Sequence, residues 1–187
     1  MANRRILCRI VVIAVFAALH ALPAVDNAHG QARPFDRGLV GQPAPEFRLP
    51  VHGPEAEGGL WRVASSDSLS LSSLRGKPVL LIFWFTGCLP CVQENPLLSR
   101  MAEELDGQVH FVAMTMHEGP SLIREYLEKS NDLRFPIVYT KGSRVDAAYR
   151  VIGAPTTVAV GPDGVIREIY FGRLREPEVR ELIAAAK

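Results

Sequence analysis

Cysteine is scarce in this 187-residue sequence, with three residues at positions 8, 88 and 91. That rules out a disulfide-stapled scaffold, because Cys88 and Cys91 are too close together to join distant segments. No second Cys-x-x-Cys pair is present, and His52, His110 and His117 lack metal-ligand spacing. A structural zinc site is therefore excluded and no metal is expected. Val92, not histidine, follows Cys91, which removes covalent haem attachment. Neither charge sign is in surplus, with 21 basic side chains against 20 acidic ones. Such a balance argues against a nucleic-acid partner. An uninterrupted apolar run of about 20 residues, the length of a membrane-spanning helix, is also missing. No internal repeat is visible.

What is present begins with a distinct N-terminus. Arg4, Arg5 and Arg9 form a basic start, residues 10–22 are almost wholly apolar, and Ala28, Gly30 and Ala32 supply a small-residue exit. This is the pattern of a secretory signal removed after Ala32. A retained membrane anchor is the alternative, since residues 6–25 reach the spanning length of about 20 if Arg9 and His20 are counted in. Arg4-Arg5 is a weak twin-arginine signal, and Cys8 lies on the wrong side of the apolar run for lipid attachment at a cleaved end. Without the leader, the chain carries 18 basic and 19 acidic side chains, because Arg4, Arg5, Arg9 and Asp26 leave with it. A chain of about 150 residues still buries roughly 68–70% of its unfolded surface. The expected organisation is a signal peptide or anchor over 1–32, a Pro- and Gly-rich linker or extended lead-in over 33–45, and one domain over 46–187.

From residue 46, strand and helix patterns alternate. Short strands are expected at 47–51 and 60–63. The Ser/Leu alternation that follows predicts a strand edge and one helical turn ending at Gly76. Residues 79–85, VLLIFWF, read as a strand buried on both faces. A helix follows, with apolar positions Val92, Leu97, Leu98, Met101, Ala102 and Leu105, and a kink is expected at Pro96. Then come a strand at 109–116, a helix through Leu122, Ile123, Tyr126 and Leu127, a strand at 135–139 and a short helix at 145–149. Strands at 156–160 and 165–171 flank the turn signal Gly161-Pro162-Asp163-Gly164, and a helix over 176–186 closes the chain. This order predicts an α/β fold with a mixed central sheet and helices on both faces.

Cys88-Leu89-Pro90-Cys91 sits where the buried strand hands over to a helix. Unpaired N–H groups and the positive dipole end of a helix's first turn stabilise an anion. Cysteines placed there titrate at about 3.5–7.5 rather than near 8.5. Cys91 lies one turn further in, within reach of a mixed disulfide formed at Cys88. Pro90 suits the first turn, where its missing N–H costs no bond. In an oxidising compartment, a lone pair of this kind reads as a working dithiol.

The run LSLSSLRGKPVLLIFWFTGCLPCVQENP resembles the thioredoxin-like TlpA/ResA family, as do GAPTTVAVGPDGVI and VGQPAPEFRLP. Together these motifs cover the chain from about residue 40. The resemblance implies a thioredoxin-like fold with an extra N-terminal β segment. It implies a periplasmic or otherwise extracytoplasmic disulfide reductase, of a kind that often serves cytochrome c maturation. Its partners would be protein disulfides and an upstream thiol electron donor, the latter in some members embedded in the membrane. The protein itself would touch the membrane only if the N-terminal segment is retained. No cofactor is implied beyond the redox-active Cys88–Cys91 pair. Carried over position by position, Cys88 is the attacking thiol and Cys91 the resolving one. Glu94 matches a glutamate that assists proton transfer, and Pro155 a proline behind a cis peptide facing the dithiol. That peptide would present the Ala154 backbone to a bound substrate strand. Two departures stand out. Gly87 occupies the place of a tryptophan before the first cysteine, and Ile82 stands where classical thioredoxins carry a buried acid, which shifts acid–base work onto Glu94.

Two other functions compete. A peroxiredoxin-type peroxidase needs threonine three residues before the attacking cysteine and an upstream proline, whereas Thr86 is two residues before Cys88 and IFWF holds no proline. A thioredoxin-like copper chaperone would use Cys88, Cys91 and His117, because soft thiolates suit Cu(I).

Overall fold

A computed structural model describes residues 38–52, 68–130 and 132–187. The strand expected at 60–63 and the leader lie outside the described residues. The first half of the domain holds β1 (Arg48–His52), β2 (Ser68–Ser70), a 3₁₀ turn (Leu71–Leu74) and β3 (Val79–Trp84). Next come α1 (Leu89–Glu104), β4 (His110–Thr115), α2 (Pro120–Lys129) and β5 (Ile137–Tyr139). The remainder is α3 (Val145–Ala148), β6 (Thr156–Val160), β7 (Ile166–Phe171) and α4 (Glu176–Ala185).

The strands form one sheet in the order β2-β1-β5-β4-β3-β6-β7. β3 pairs in parallel with β4 and β4 with β5, while the remaining neighbours are antiparallel. The sheet is mixed, as expected, and β1 and β2 provide the extra N-terminal β segment.

All six residues of β3 are buried. Successive strand side chains point to opposite faces, so its residues divide between two cores. Leu80, Ile82 and Trp84 pack with residues of α1, α2 and α4, including Leu98, Ile123 and Leu182. Val79, Leu81 and Phe83 pack on the other face with Leu71 and Leu74 of the 3₁₀ turn, Val145 of α3 and the adjoining Tyr149. Helices therefore cover both faces, unevenly, with the three long ones sharing one. Leu80 has no solvent exposure, and Leu80→Ala is expected to cost about 2–5 kcal/mol through lost transfer energy and a cavity. Urea unfolding at equilibrium measures that loss.

Residues of the lead-in are tied to the far edge of the sheet. Gly41 N–H donates to Ile166, Ala44 N–H to Gly164, and Ile166 N–H to Gln42. The β6–β7 hairpin turns at Gly164, where φ is +79° and an added Cβ would run into the Arg75 guanidinium. Only glycine suits that position.

Candidate active site

The C-terminal ends of β3 and β4 and the start of β6 lie side by side at one end of the strands, and the dithiol follows β3 there. The ladder of β3 ends at Trp84, whose carbonyl accepts from Met116 N–H at 2.8 Å. Phe85 turns away from the sheet, and its carbonyl accepts from Cys88 N–H at 3.0 Å. The turn thus closed delivers Cys88 to the N-cap of α1, where its sulfur accepts from Cys91 N–H at 3.2 Å. One otherwise unpaired helix donor is aimed at the Cys88 sulfur. Cys88 and Cys91 are disulfide-bonded, with Cα atoms 5.3 Å apart. Both cysteines are buried, Cys91 completely and Cys88 all but 4%.

The buried face of α1 carries Cys91, Glu94, Asn95, Leu98, Ser99, Met101 and Ala102. It is more polar than the sequence suggests, and the expected apolar positions Val92, Leu97 and Leu105 are only half-buried. The buried polar side chains have partners. Asn95 donates to Tyr126 Oη at 3.1 Å, while Ser99 Oγ donates to the Asp132 carbonyl and accepts from Arg134 N–H. Helix α1 continues through Pro96 to Glu104.

Glu94 is 1% exposed, one turn beyond Cys91 on the same face. Its Oε2 accepts from Leu174 N–H at 2.7 Å, and its Oε1 is buried without a hydrogen bond. Burial pushes the carboxyl up to about 7, against the lowering effects of the Leu174 N–H and the Arg173 guanidinium. Arg173 also donates to Gln93 Oε1 at 2.9 Å, so the β7–α4 loop is fastened along α1 at two consecutive residues.

The Ala154–Pro155 peptide is cis. Phe83 is level with Thr156 in the β3–β6 register, so Pro155 falls beside the C-terminal end of β3, from which the chain runs on to Cys88. Ala154 packs against the core cluster that contains Cys88 and Cys91. His117 is exposed with φ +63°, just beyond β4. Among the described residues, no group of three His, Cys, Asp or Glu side chains is placed to hold a metal ion. Trp84 is 1% exposed, its ring 5.3 Å from that of Tyr126, as core packing requires.

Glu118 is the residue that sequence reasoning missed. Its carboxylate accepts from Thr86 N–H at 2.9 Å and from the Thr86 hydroxyl at 2.6 Å. The loop before Cys88 is thereby clamped to the loop after β4, and the Thr86 hydroxyl is committed to a carboxylate. The only sequence signal is topological, since adjacent parallel strands release their following loops at the same end. Glu118→Ala leaves the Thr86 N–H and hydroxyl without this acceptor and is expected to cost about 1–3 kcal/mol, measurable by thermal unfolding.

A bonded Cys-x-x-Cys pair capping the helix after an interior, fully buried strand of this sheet defines a thioredoxin-like thiol–disulfide oxidoreductase. The chain belongs to the AhpC/TSA family, whose model matches residues 40–169. It is 31% identical over 144 residues to the thioredoxin-like protein YneN of Bacillus subtilis, covering 75% of this chain and 76% of that one. It is 34% identical over 136 residues to the thiol-disulfide oxidoreductase ResA of Oceanobacillus iheyensis, covering 72% of this chain and 66% of that protein. The crystal structure of StoA from Bacillus subtilis superposes with a TM-score of 0.58 at 21% identity, covering 75% of this chain and 98% of that one. This last likeness is one of fold.

Proposed function

We propose that the protein reduces disulfides of other proteins outside the cytoplasm, and that it is recharged by an upstream thiol donor. The observation that carries this reading is the asymmetry of the pair, with Cys88 at the helix N-cap and slightly exposed and Cys91 within the first turn and fully buried. The N-terminal secretory pattern supports the location. No helix among the described residues is long and apolar enough to cross a membrane.

In the reduced protein, the Cys88 thiolate attacks one sulfur of the substrate disulfide. The substrate S–S bond breaks, and its other sulfur leaves as a thiolate that takes up a proton. Cys91 then yields its proton to the Glu94 carboxylate and attacks the Cys88 sulfur. The mixed disulfide breaks, the second substrate thiol departs, and Cys88–Cys91 is left oxidised. Two electrons have passed to the substrate. Glu94 fits the base role because a carboxyl near 7 both accepts and returns a proton at neutral pH. The dithiol carries the electrons with no further cofactor, and the Ala154 backbone ahead of Pro155 is the strand that an extended substrate pairs with.

Mixing the reduced protein with a disulfide-bonded, unfolded polypeptide tests the reading. Two substrate thiols are expected for each protein dithiol consumed. Oxidation of Cys88–Cys91 without the appearance of substrate thiols would contradict it.

A further inference from the structure

Five large apolar side chains are exposed among the described residues: Phe85, Leu89, Leu122, Ile152 and Phe171. All but Leu122 lie on segments that meet at the dithiol. Phe85 and Leu89 bracket Cys88 along the chain. Ile152 leads into Gly153, Ala154 and Pro155, and Phe171 is fastened to that segment. Phe171 pairs with Thr156, and the N–H of the next residue, Gly172, donates to the Pro155 carbonyl at 2.9 Å.

Each of the two rings is laid against a glycine. A Cβ added at Gly87 would lie 3.5 Å from Cε2 of Phe85, and one added at Gly153 would lie 3.2 Å from Cε2 of Phe171. The Phe85 ring therefore covers the flank of the residue immediately before the nucleophile. It is the first residue after six fully buried strand positions, yet it is 37% exposed. Leaving such a side chain partly in water forgoes part of the roughly 1.5–3 kcal/mol that full burial provides. Apolar exposure gathered around one site marks a docking surface. The backbone below the ring is already fixed, because the Phe85 carbonyl holds Cys88 N–H and Glu118 holds Thr86. A preorganised contact loses little entropy on binding.

We infer that Phe85 determines substrate specificity: its ring supplies the aromatic contact beside Cys88 that Gly87 lacks. With Leu89, Ile152 and Phe171 it receives bulky apolar side chains flanking the half-cystine of an extended polypeptide. The inference rests on the disulfide-exchange reading above. The occupant must bring a disulfide to Cys88, which makes it a cysteine-bearing polypeptide rather than a lipid.

The test uses the full chain with three oxidised substrates. Two are disulfide peptides of equal length, one with Phe and Leu beside each cysteine and one with Ser and Asn, and the third is oxidised glutathione. The wild-type protein is expected to prefer the apolar-flanked peptide. Phe85→Ala should lower the ratio of kcat/KM between the two peptides by about tenfold, chiefly through KM, and Phe85→Trp should restore it. Leu89→Ser, on the exposed first turn of α1, should shift the ratio in the same direction and provides a second variant if Phe85→Ala folds poorly. A ratio untouched by these variants would overturn the inference, as would equal losses on both peptides and glutathione. Absence of thiol release from all three substrates by the wild-type protein would overturn the exchange reading itself and the inference with it.

Discussion

Cys88→Ser is expected to abolish disulfide exchange, bringing substrate thiol release down to the uncatalysed background. A serine hydroxyl at the N-cap keeps the helix start, because serine is among the preferred capping residues. It cannot become an anion near neutral pH, so the sulfur chemistry has no nucleophile. The loss should therefore appear in activity and not in folding, apart from the stability contributed by the disulfide. The Cys91→Ser change affects a different step. It leaves Cys88 able to attack but unable to be released, so single-turnover attack survives while turnover stops. Stopped-flow measurement of the first thiol released separates the two variants.

The second large effect concerns Glu94. Its carboxyl sits at about 7 in the fold, against an ordinary value of 4.5. Between those values the folded protein holds a proton that the unfolded chain has released. Stability due to this group is therefore fully present below about 4.5, falls as pH rises toward 7, and is level above that. The difference of some 2.5 units corresponds to an upper bound of about 3 kcal/mol at alkaline pH. Glu94→Gln retains an oxygen for Leu174 N–H and removes the charge. The oxidised variant should be more stable than wild type at pH 8 and close to it at pH 4.5, by urea unfolding. Activity should move the other way. Wild-type turnover should rise through pH 7 as Glu94 ionises, and the Gln variant should lose that inflection and run several-fold slower above it. A wild-type profile without an inflection near 7, or one that the Gln variant retains, would remove Glu94 from the proton path.

Much of the fold was legible because the sheet is written in local patterns. The all-apolar run before Thr86 marked the buried interior strand, and Gly161-Pro162-Asp163-Gly164 marked the hairpin. Errors at strand ends have physical causes. The apolar run predicts strand through Phe85, but the Phe85 carbonyl is taken by Cys88 N–H, which closes a turn there. The strand expected at 135–139 likewise includes Phe135 and Pro136, which lie outside β5. Pro136 has no N–H for a ladder, and β5 starts one residue later, although the Pro136 carbonyl still accepts from Ala113 N–H at 2.8 Å. The Cys-x-x-Cys pair announced itself through spacing and position. The clamp from Glu118 to Thr86 and the loop from Arg173 to Leu174 around Glu94 did not, because each joins residues brought together only when the sheet closes. Glu94 showed in the sequence as a helix carboxylate, and its near-total burial goes with the β7–α4 loop fastened along α1, which no local pattern encodes.

The central claim is that Cys88 attacks and Cys91 resolves. The most direct measurement is to add oxidised polypeptide to the reduced Cys91→Ser protein and identify the resulting adduct by non-reducing mass spectrometry and peptide mapping. A stable one-to-one mixed disulfide through Cys88 is the predicted result. A Cys91→Ser protein that forms no adduct while still releasing both substrate thiols at the wild-type rate would contradict the account.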